Sequence, residues 1–301
     1  MSLIWSNQNT VILRLVFLII FYLVANTAKA ESVFTYIIHP NKSNKHLSYS
    51  HNLLLLALEK TVASHGSFRM NYIPVAMNTK RARFEVKKNT YPNLIYPGGG
   101  TNDFFEQYQY APFPIDLGIW GYRFPMLHKD NIGLISKETT LAELKALSIV
   151  QGIGWVDAKI LRSNGFSSVT EVKSTSIDET IVHKRSDVDV YFCSMNDTNR
   201  YQEQPVAINK DIALHYEYPR FFISSKGNKS AIERIYAGLI IAYQDGSLSR
   251  LIDKHFLEEI NKLDISHRKT FQLDNLFQQG LDKRYQTWKG LHNEYINSRI
   301  K

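Results

Sequence analysis

The stretch that most constrains this 301-residue chain runs from Ser148 to Phe166, SIVQGIGWVDAKILRSNGF. Ser148 to Gln151 form a short apolar strand, and Gly152 and Gly154 allow a tight turn. A helical pattern starts at Trp155 and continues to Leu161, with Asp157 in its first turn. A strand feeding a helix in this way leaves free N–H groups at the helix start, where they carry part of the helix dipole. The backbone of Gly152 and Gly154 is therefore a candidate seat for a carboxylate or phosphate. Trp155 is placed to stack on a bound molecule or to close the edge of its site. Taken alone, the same pattern also describes a plain strand-to-helix turn.

The residues before this unit repeat its plan. Val33–His39 is a strand rich in β-branched and aromatic residues. A helix is expected over Tyr49–Ser64, burying Leu53, Leu54, Leu56, Ala57 and Val62 and stopping at Gly66. Phe68–Val75 reads as the second strand and Thr79–Lys88 as a basic helix carrying Lys80, Arg81 and Arg83. Pro92–Pro97 reads as the third strand, ending in Gly98-Gly99-Gly100. Strand and helix in alternation predict a parallel sheet with crossover helices, whose ligands lie beyond the carboxyl ends of the strands. His39 and Tyr96 fall on that side and are candidate contacts.

From Ala111 to His128 the character changes. Pro112 and Pro114 precede a long aromatic run that predicts a crossing into a second lobe. There a capping box at Thr140 and Glu143 opens a short helix. The 148–166 unit follows, then a strand at Val169–Val172, a helix at Ser176–His183 and a strand at Val188–Phe192. Asp189 on that last strand is a candidate partner for a ligand ammonium. Ile212–Ser224 is expected as one returning strand. A second capping box at Ser230 and Glu233 leads into a helix over Ala231–Tyr243, which Asp245-Gly246 ends before another helix at Leu248–Phe256. The last forty-five residues are polar with isolated apolar anchors and are expected to wrap the first lobe.

Composition bounds the class. Hydrophobic residues make up 44% and charged residues 21%, which predicts a packed globular chain. Arg14 precedes an apolar run, Leu15–Ala25, and Ala28-Lys29-Ala30 has the A-x-A form of a cleavage site. Residues 1–30 therefore read as a secretory signal peptide that leaves no membrane anchor once cut. Cys193 is the single cysteine, so no disulfide framework holds the chain. The net charge of +8 falls by two when residues 1–30 are removed with Arg14 and Lys29. A mild basic excess suits an anionic ligand. Nothing interleaves basic and aromatic residues as a nucleic-acid surface would.

In this order the elements resemble the extracellular solute-binding proteins of family 3. The resemblance covers Ser32 to Phe256. It rests on the secretory leader, the crossing strand, the strand–glycine–helix unit Gly152–Leu161 and a closing run. That run is Tyr218-Pro219-Arg220-Phe221-Phe222-Ile223-Ser224, then Ile232–Gly238, then Asp245-Gly246-Ser247-Leu248. The tail, with Asp264–Arg268 and Asn275-Leu276, resembles a subgroup with C-terminal extensions.

The resemblance implies an α/β chain with the two-lobed type II periplasmic-binding fold, each lobe a mainly parallel sheet flanked by helices. Lobe one would hold 31–118 and 219–256, lobe two 119–218, and the extension 257–301 would pack on lobe one. It implies a periplasmic, non-enzymatic protein that closes by a hinge on a small polar, carboxylate-bearing ligand. A membrane transporter or a sensor kinase would be a further partner. Family members usually place an Arg in a Thr-x-x-Arg segment after the third strand. Here the segment is Thr101-Asn102-Asp103-Phe104-Phe105, without an Arg. Arg123, just past the crossing, could supply the guanidinium instead, with Arg81 or Arg83 as alternates. The missing Arg and the long tail also fit a binding fold that has lost its ligand and contacts a membrane partner.

Motifs for catalysis are missing. The sequence has no H-E-x-x-H, G-x-S-x-G or G-x-x-x-x-G-K-[ST]. Cys193 has no sequence-evident His partner, and His46 with His51 lacks further metal ligands. No cofactor is implied.

Overall fold

Two sheets organise the chain. The computed structural model describes residues 31–38, 45–75, 77, 79–183, 188–197 and 204–299. The expected signal peptide, residues 1–30, and His39 lie outside the described residues.

The chain begins with β1 (Ser32–Ile37), α1 (Lys45–Lys60), α2 (Val62–His65), β2 (Phe68–Ile73), α3 (Thr79–Lys88) and β3 (Leu94–Gly98). After α4 (Asn102–Glu106) and β4 (Gln109–Tyr110), β5 (Tyr122–His128) enters the second sheet. Then come α5 (Leu141–Ala146), β6 (Ser148–Gly152), α6 (Val156–Ser163), β7 (Ser168–Val172) and α7 (Ile177–Val182). Next are β8 (Val190–Cys193), β9 (Val206–Ile208), β10 (Ile212–His215) and β11 (Phe221–Ser224). Last are α8 (Lys229–Gln244), α9 (Ser247–Leu263), β12 (Lys269–Gln272) and α10 (Leu291–Asn297).

The first sheet has five strands in the order β2-β1-β3-β11-β4, with β1, β2 and β3 parallel. The second has seven, ordered β12-β10-β5-β8-β6-β7, with β9 beside β5. Its β7, β6 and β8 are parallel, while β5 runs against β8 and β10. This is the α/β architecture that the alternation predicts.

Several expectations need correction. The run 212–224 is not one strand. β10 belongs to the second sheet and β11 to the first, and residues 216–220 carry the chain between them. Pro219 has no N–H to donate to a ladder, so a break there is physically favoured. The first helix ends at Lys60 rather than Ser64. Val62 is exposed, and Thr61 is buried instead. The Thr61 hydroxyl donates to the Leu58 carbonyl at 2.8 Å and accepts from Arg234 Nε at 3.1 Å, so its polar atom is satisfied in the core. Ser230 is not the cap, because α8 starts two residues earlier than expected, at Lys229, with Asn228 at its N-cap position. The Thr140–Glu143 capping box is present in full.

The extension differs most. Rather than lying on lobe one alone, it first adds β12 to the second sheet, parallel to β10. It then returns to the first lobe. Gln278 Nε2 donates to the Gly100 carbonyl at 2.5 Å, and the Asp282 N–H donates to Tyr110 Oη at 2.7 Å. Arg284 pairs with Glu233 on α8 at 2.8 Å, and Arg299 pairs with Asp253 on α9 at 2.7 Å.

The main core cluster unites the two sheets. It joins Tyr49, Leu53, Leu54, Ala57 and Leu58 of α1 to Val150, Tyr191 and Cys193 of the second sheet. Ile232, Ile235 and Leu239 of α8 complete it on the first lobe. Buried α1 residues recur in pairs four apart, as a helix face requires. Where α1 crosses α8 the backbones touch. A Cβ on Gly238 would stand 1.9 Å from the Ala57 carbonyl oxygen. Near the interlobe passage His215 and His292 stack at 3.9 Å between ring centroids, both buried. Burial and the neighbouring His215 push His292 down to about 3, and burial lowers His215.

Two outcomes follow. Gly238→Ala forces the helices apart and lowers stability by about 1–3 kcal/mol in urea unfolding. The two histidines are neutral when folded but take up protons when unfolded, near pH 6.5. The unfolded chain therefore binds more protons below that value, and stability falls as pH drops from about 7 to about 5. In the same titration His292→Leu loses less stability than the wild type over that window.

Candidate functional site

The candidate site lies where β3, the crossing strand, the start of α6 and residues 216–220 meet. On the second-lobe side Arg123 is the centre. It is the second residue of β5 and is 6% exposed. Its Nε donates to Asp157 Oδ1 at 2.6 Å, and its Nη1 donates to the carbonyls of Trp120 at 2.6 Å and Tyr122 at 2.9 Å. The Tyr216 hydroxyl donates to the same Asp157 oxygen. The guanidinium carbon stands 4.9 Å from the Tyr216 ring centroid and 5.8 Å from that of Tyr218. Burial pushes the Asp157 carboxyl up, but the Arg123 charge and the Tyr216 hydroxyl outweigh it and hold the group below the usual carboxylate range. Arg123 is raised despite its burial, with Asp157 the main cause.

The turn before α6 is also occupied. The Trp155 ring folds back over Gly152, so that a Cβ there would stand 2.4 Å from it. Gly154 turns the chain at φ +76, and its N–H donates to Glu171 Oε2 of β7 at 3.0 Å. The anion expected at this turn is thus supplied by the protein, by Glu171 at the glycine and by Asp157 in the first helical turn. The arginine expected to hold a ligand carboxylate holds Asp157. A clamp built from Arg123 and the helix start is closed on itself.

The first-lobe side differs. Arg83 Nη2 donates to the Gly99 carbonyl at 2.8 Å, its guanidinium carbon lies 4.2 Å from the Phe104 ring centroid, and its buried Nε has no partner among the described residues. Arg220 follows Pro219 on the passage between sheets. Its Cγ would be 3.2 Å from a Cβ on Gly99, and its guanidinium carbon is 5.8 Å from the Trp120 ring centroid. Arg220 is half-buried and makes no hydrogen bond or ion pair among the described residues. Asp116 is fully buried nearby, raised to about 6 by burial against the opposing pull of Arg220. Tyr218 connects the two sides. Burial raises its hydroxyl, and the charges of Asp157, Arg123, Arg83 and Arg220 all act on it.

The remaining expected residues separate. Tyr96 is half-buried in β3, opposite Ile223 of β11. Arg81 is exposed on α3, because Ala82 and Val86 face inward and turn Arg83, not Arg81, toward the glycine run. Asp189 is corrected. It precedes β8, and its Oδ2 accepts the Ser148 N–H at 2.8 Å, at the amino end of β6. That is about 13 Å, four residues of strand, from the carboxyl end where Gly152 lies. Sequence reasoning gave no site role to Arg220 or Tyr218. The available signal was a charge inside the apolar run Phe221–Ile223 and its approach, next to a proline. Cys193 is buried and burial raises its thiol, which disfavours the thiolate a nucleophile needs. Among the described residues no group of three or more His, Cys, Asp or Glu could hold a metal ion, and no helix is long and apolar enough to cross a membrane.

The pair at the centre of the site has a measurable signature. Asp157→Asn leaves a buried guanidinium without its counter-charge and costs about 3–5 kcal/mol in urea unfolding. The double exchange Arg123→Met with Asp157→Leu removes both charges and recovers most of that loss. The contribution of Asp157 is present above the unfolded carboxyl value of about 4 and is lost as pH falls through its lower folded value, so Asp157→Asn also flattens the acid limb of the stability curve.

No protein-family model matches the sequence, and no curated protein matches it. Solved structures do. The Bacillus subtilis protein ytmK, described as a probable amino-acid ABC transporter extracellular-binding protein, is similar at a TM-score of 0.54 and 10% identity, covering 75% of this chain and 98% of that one. YCKB from Bacillus subtilis is similar at a TM-score of 0.51 and 17% identity, covering 82% of this chain and 97% of that one. An ancestral arginine-binding protein bound to glutamine is similar at a TM-score of 0.50 and 12% identity, over 75% and 99% of the two chains. With two helix-flanked sheets joined by crossing segments, the chain has the two-lobed fold of the family 3 solute-binding proteins.

Proposed function

We propose that the protein is a periplasmic solute-binding protein that captures a small, polar, carboxylate-bearing ligand between its lobes. Arg220 carries the reading. Its half-buried guanidinium makes no hydrogen bond or ion pair among the described residues, and a planar carboxylate matches its donor fork. Arg83 adds a second positive charge beside the glycine run, and Trp120 and Tyr218 supply aromatic walls. Arg123 has a structural role in this scheme, holding the lobe that closes. The likeness to an ancestral arginine-binding protein bound to glutamine and to a probable amino-acid transporter binding protein supports a small polar solute. Delivery to a membrane transporter, or signalling to a sensor kinase, would follow binding. Secretion through residues 1–30 would place the protein outside the inner membrane.

A second reading has one observation in its favour. The extension is hydrogen-bonded to both lobes, through β12 on one side and Gln278 and Asp282 on the other. A fold tied in this way suits a protein that presents a fixed surface to a membrane partner instead of opening for solute.

A thermal-shift screen of residues 31–301 against amino acids, small carboxylates, polyamines and short peptides separates the two. On the first reading a carboxylate-bearing compound raises the unfolding midpoint. Arg220→Ala then weakens that compound about 10–100-fold, the loss of a charge-assisted hydrogen bond, with the unliganded midpoint little changed. Binding that Arg220→Ala leaves intact counts against the assignment, and a flat screen transfers the weight to partner contact.

A further inference from the structure

A second recess lies on the opposite face of the residues that carry Arg220. Along 215–218 the side chains alternate. Tyr216 and Tyr218 face Arg123, whereas His215 bonds Gln272 at 2.9 Å and the Glu217 carboxylate accepts from the Tyr285 hydroxyl at 2.6 Å. Between Glu217 and the extension is a cavity of about 570 Å³. That volume is within the range of about 300–1,000 Å³ found for small-molecule sites.

Its lining is dominated by carboxamides. Asn275 and Gln278 bond each other at 3.0 Å on one wall. Gln279, Gln286 and Asn293 also line it, and their side chains make no hydrogen bond among the described residues. Each carboxamide offers two donors and an acceptor, the pattern that matches hydroxyl groups, which both donate and accept. Charge is sparse: Glu217 and Asp274 against Lys289. His292 on the wall is held neutral by burial. The buried Leu273, Leu281 and Tyr285 and the exposed Leu276 also line the cavity.

We propose that this cavity is a second ligand site, separate from the interlobe site, for an uncharged polyhydroxylated molecule of sugar type. Its walls come from the passage between sheets, from the part of the extension that follows β12 and from the part that leads into α10. The site exists only because the extension folds back over the first lobe. A bound sugar would bridge amides on successive segments of the extension and lie against Glu217 of the passage between sheets.

Isothermal titration calorimetry with glucose, N-acetylglucosamine and trehalose on residues 31–301 tests this. The expected result is saturable heat with at least one of them. The double exchange Gln279→Leu with Gln286→Leu weakens that binding about tenfold or more, since two exposed amides lose their bonds to the ligand. Arg220→Ala leaves it unchanged, which keeps the result independent of the interlobe reading. Asn293→Leu, on another segment of the wall, gives a loss of the same sign and guards against a local folding defect in the double variant. Heat from none of the three sugars overturns the proposal, as does binding that survives the double exchange. Binding lost in Arg220→Ala and kept in the double variant overturns it too, because it places the sugar between the lobes.

Discussion

A guanidinium cannot shed its proton in a protein, so burying one demands that its charge and donors be answered in place. Arg123 meets that demand by drawing in three segments at once. It takes carbonyls from its own approach at Trp120 and Tyr122, a carboxylate from the first turn of α6, and the ring of Tyr216 from the passage after β10. The crossing strand, the helix start and the return path are therefore fixed together. The same pairing removes Arg123 and the α6 N-terminus from the list of groups free to meet an anion. What remains electrostatically open is on the other lobe, at Arg220 and Arg83.

The passage between the sheets has two chemically different faces for a simple reason. Extended backbone sends successive side chains to opposite sides, and the contacts of 215–218 alternate in that way. Tyr216 and Tyr218 therefore border the arginines, while His215 and Glu217 border the extension. Few residues separate an ion-pair network from an amide-lined recess.

Much of this was legible in the sequence. The strand and helix alternation, the crossing at the proline-rich segment and the Thr140–Glu143 cap all rest on local signals: periodicity, turn residues and capping chemistry. The misreadings have a common source. Asp189 was placed on a strand over Val188–Phe192, but β8 begins at Val190, and Asp189 sits just before it beside the amino end of β6. Spacing does not say which end of a strand faces the other lobe, and the Ser148 N–H that takes the carboxylate is forty-one residues away. Val62 and Thr61 exchanged roles because a hydroxyl can be buried when a distant Arg234 and a local carbonyl bond it. Arg123 was expected to hold a ligand carboxylate, whereas it holds Asp157. Its partner was visible too, since Asp157 stood in the first turn of the marked helix, but no local pattern links 123 to 157. The extension was hardest, because a four-residue strand such as β12 is defined by the edge that receives it rather than by its own composition.

The extension also sets terms for any movement of the lobes. Its first part is a strand of the second sheet, and its later part is bonded to Gly100, Tyr110, Glu233 and Asp253 of the first lobe. Residues 273–282 span the gap, beside the passage at 216–220, where Asn275 Nδ2 donates to the Glu217 carbonyl at 2.7 Å. Should the proposed closure turn about 216–220, a tether lying against that passage, unlike a remote one, would need only small changes of backbone angle, as hinge residues do. A molecule held in the proposed recess would then touch both the tether and the passage.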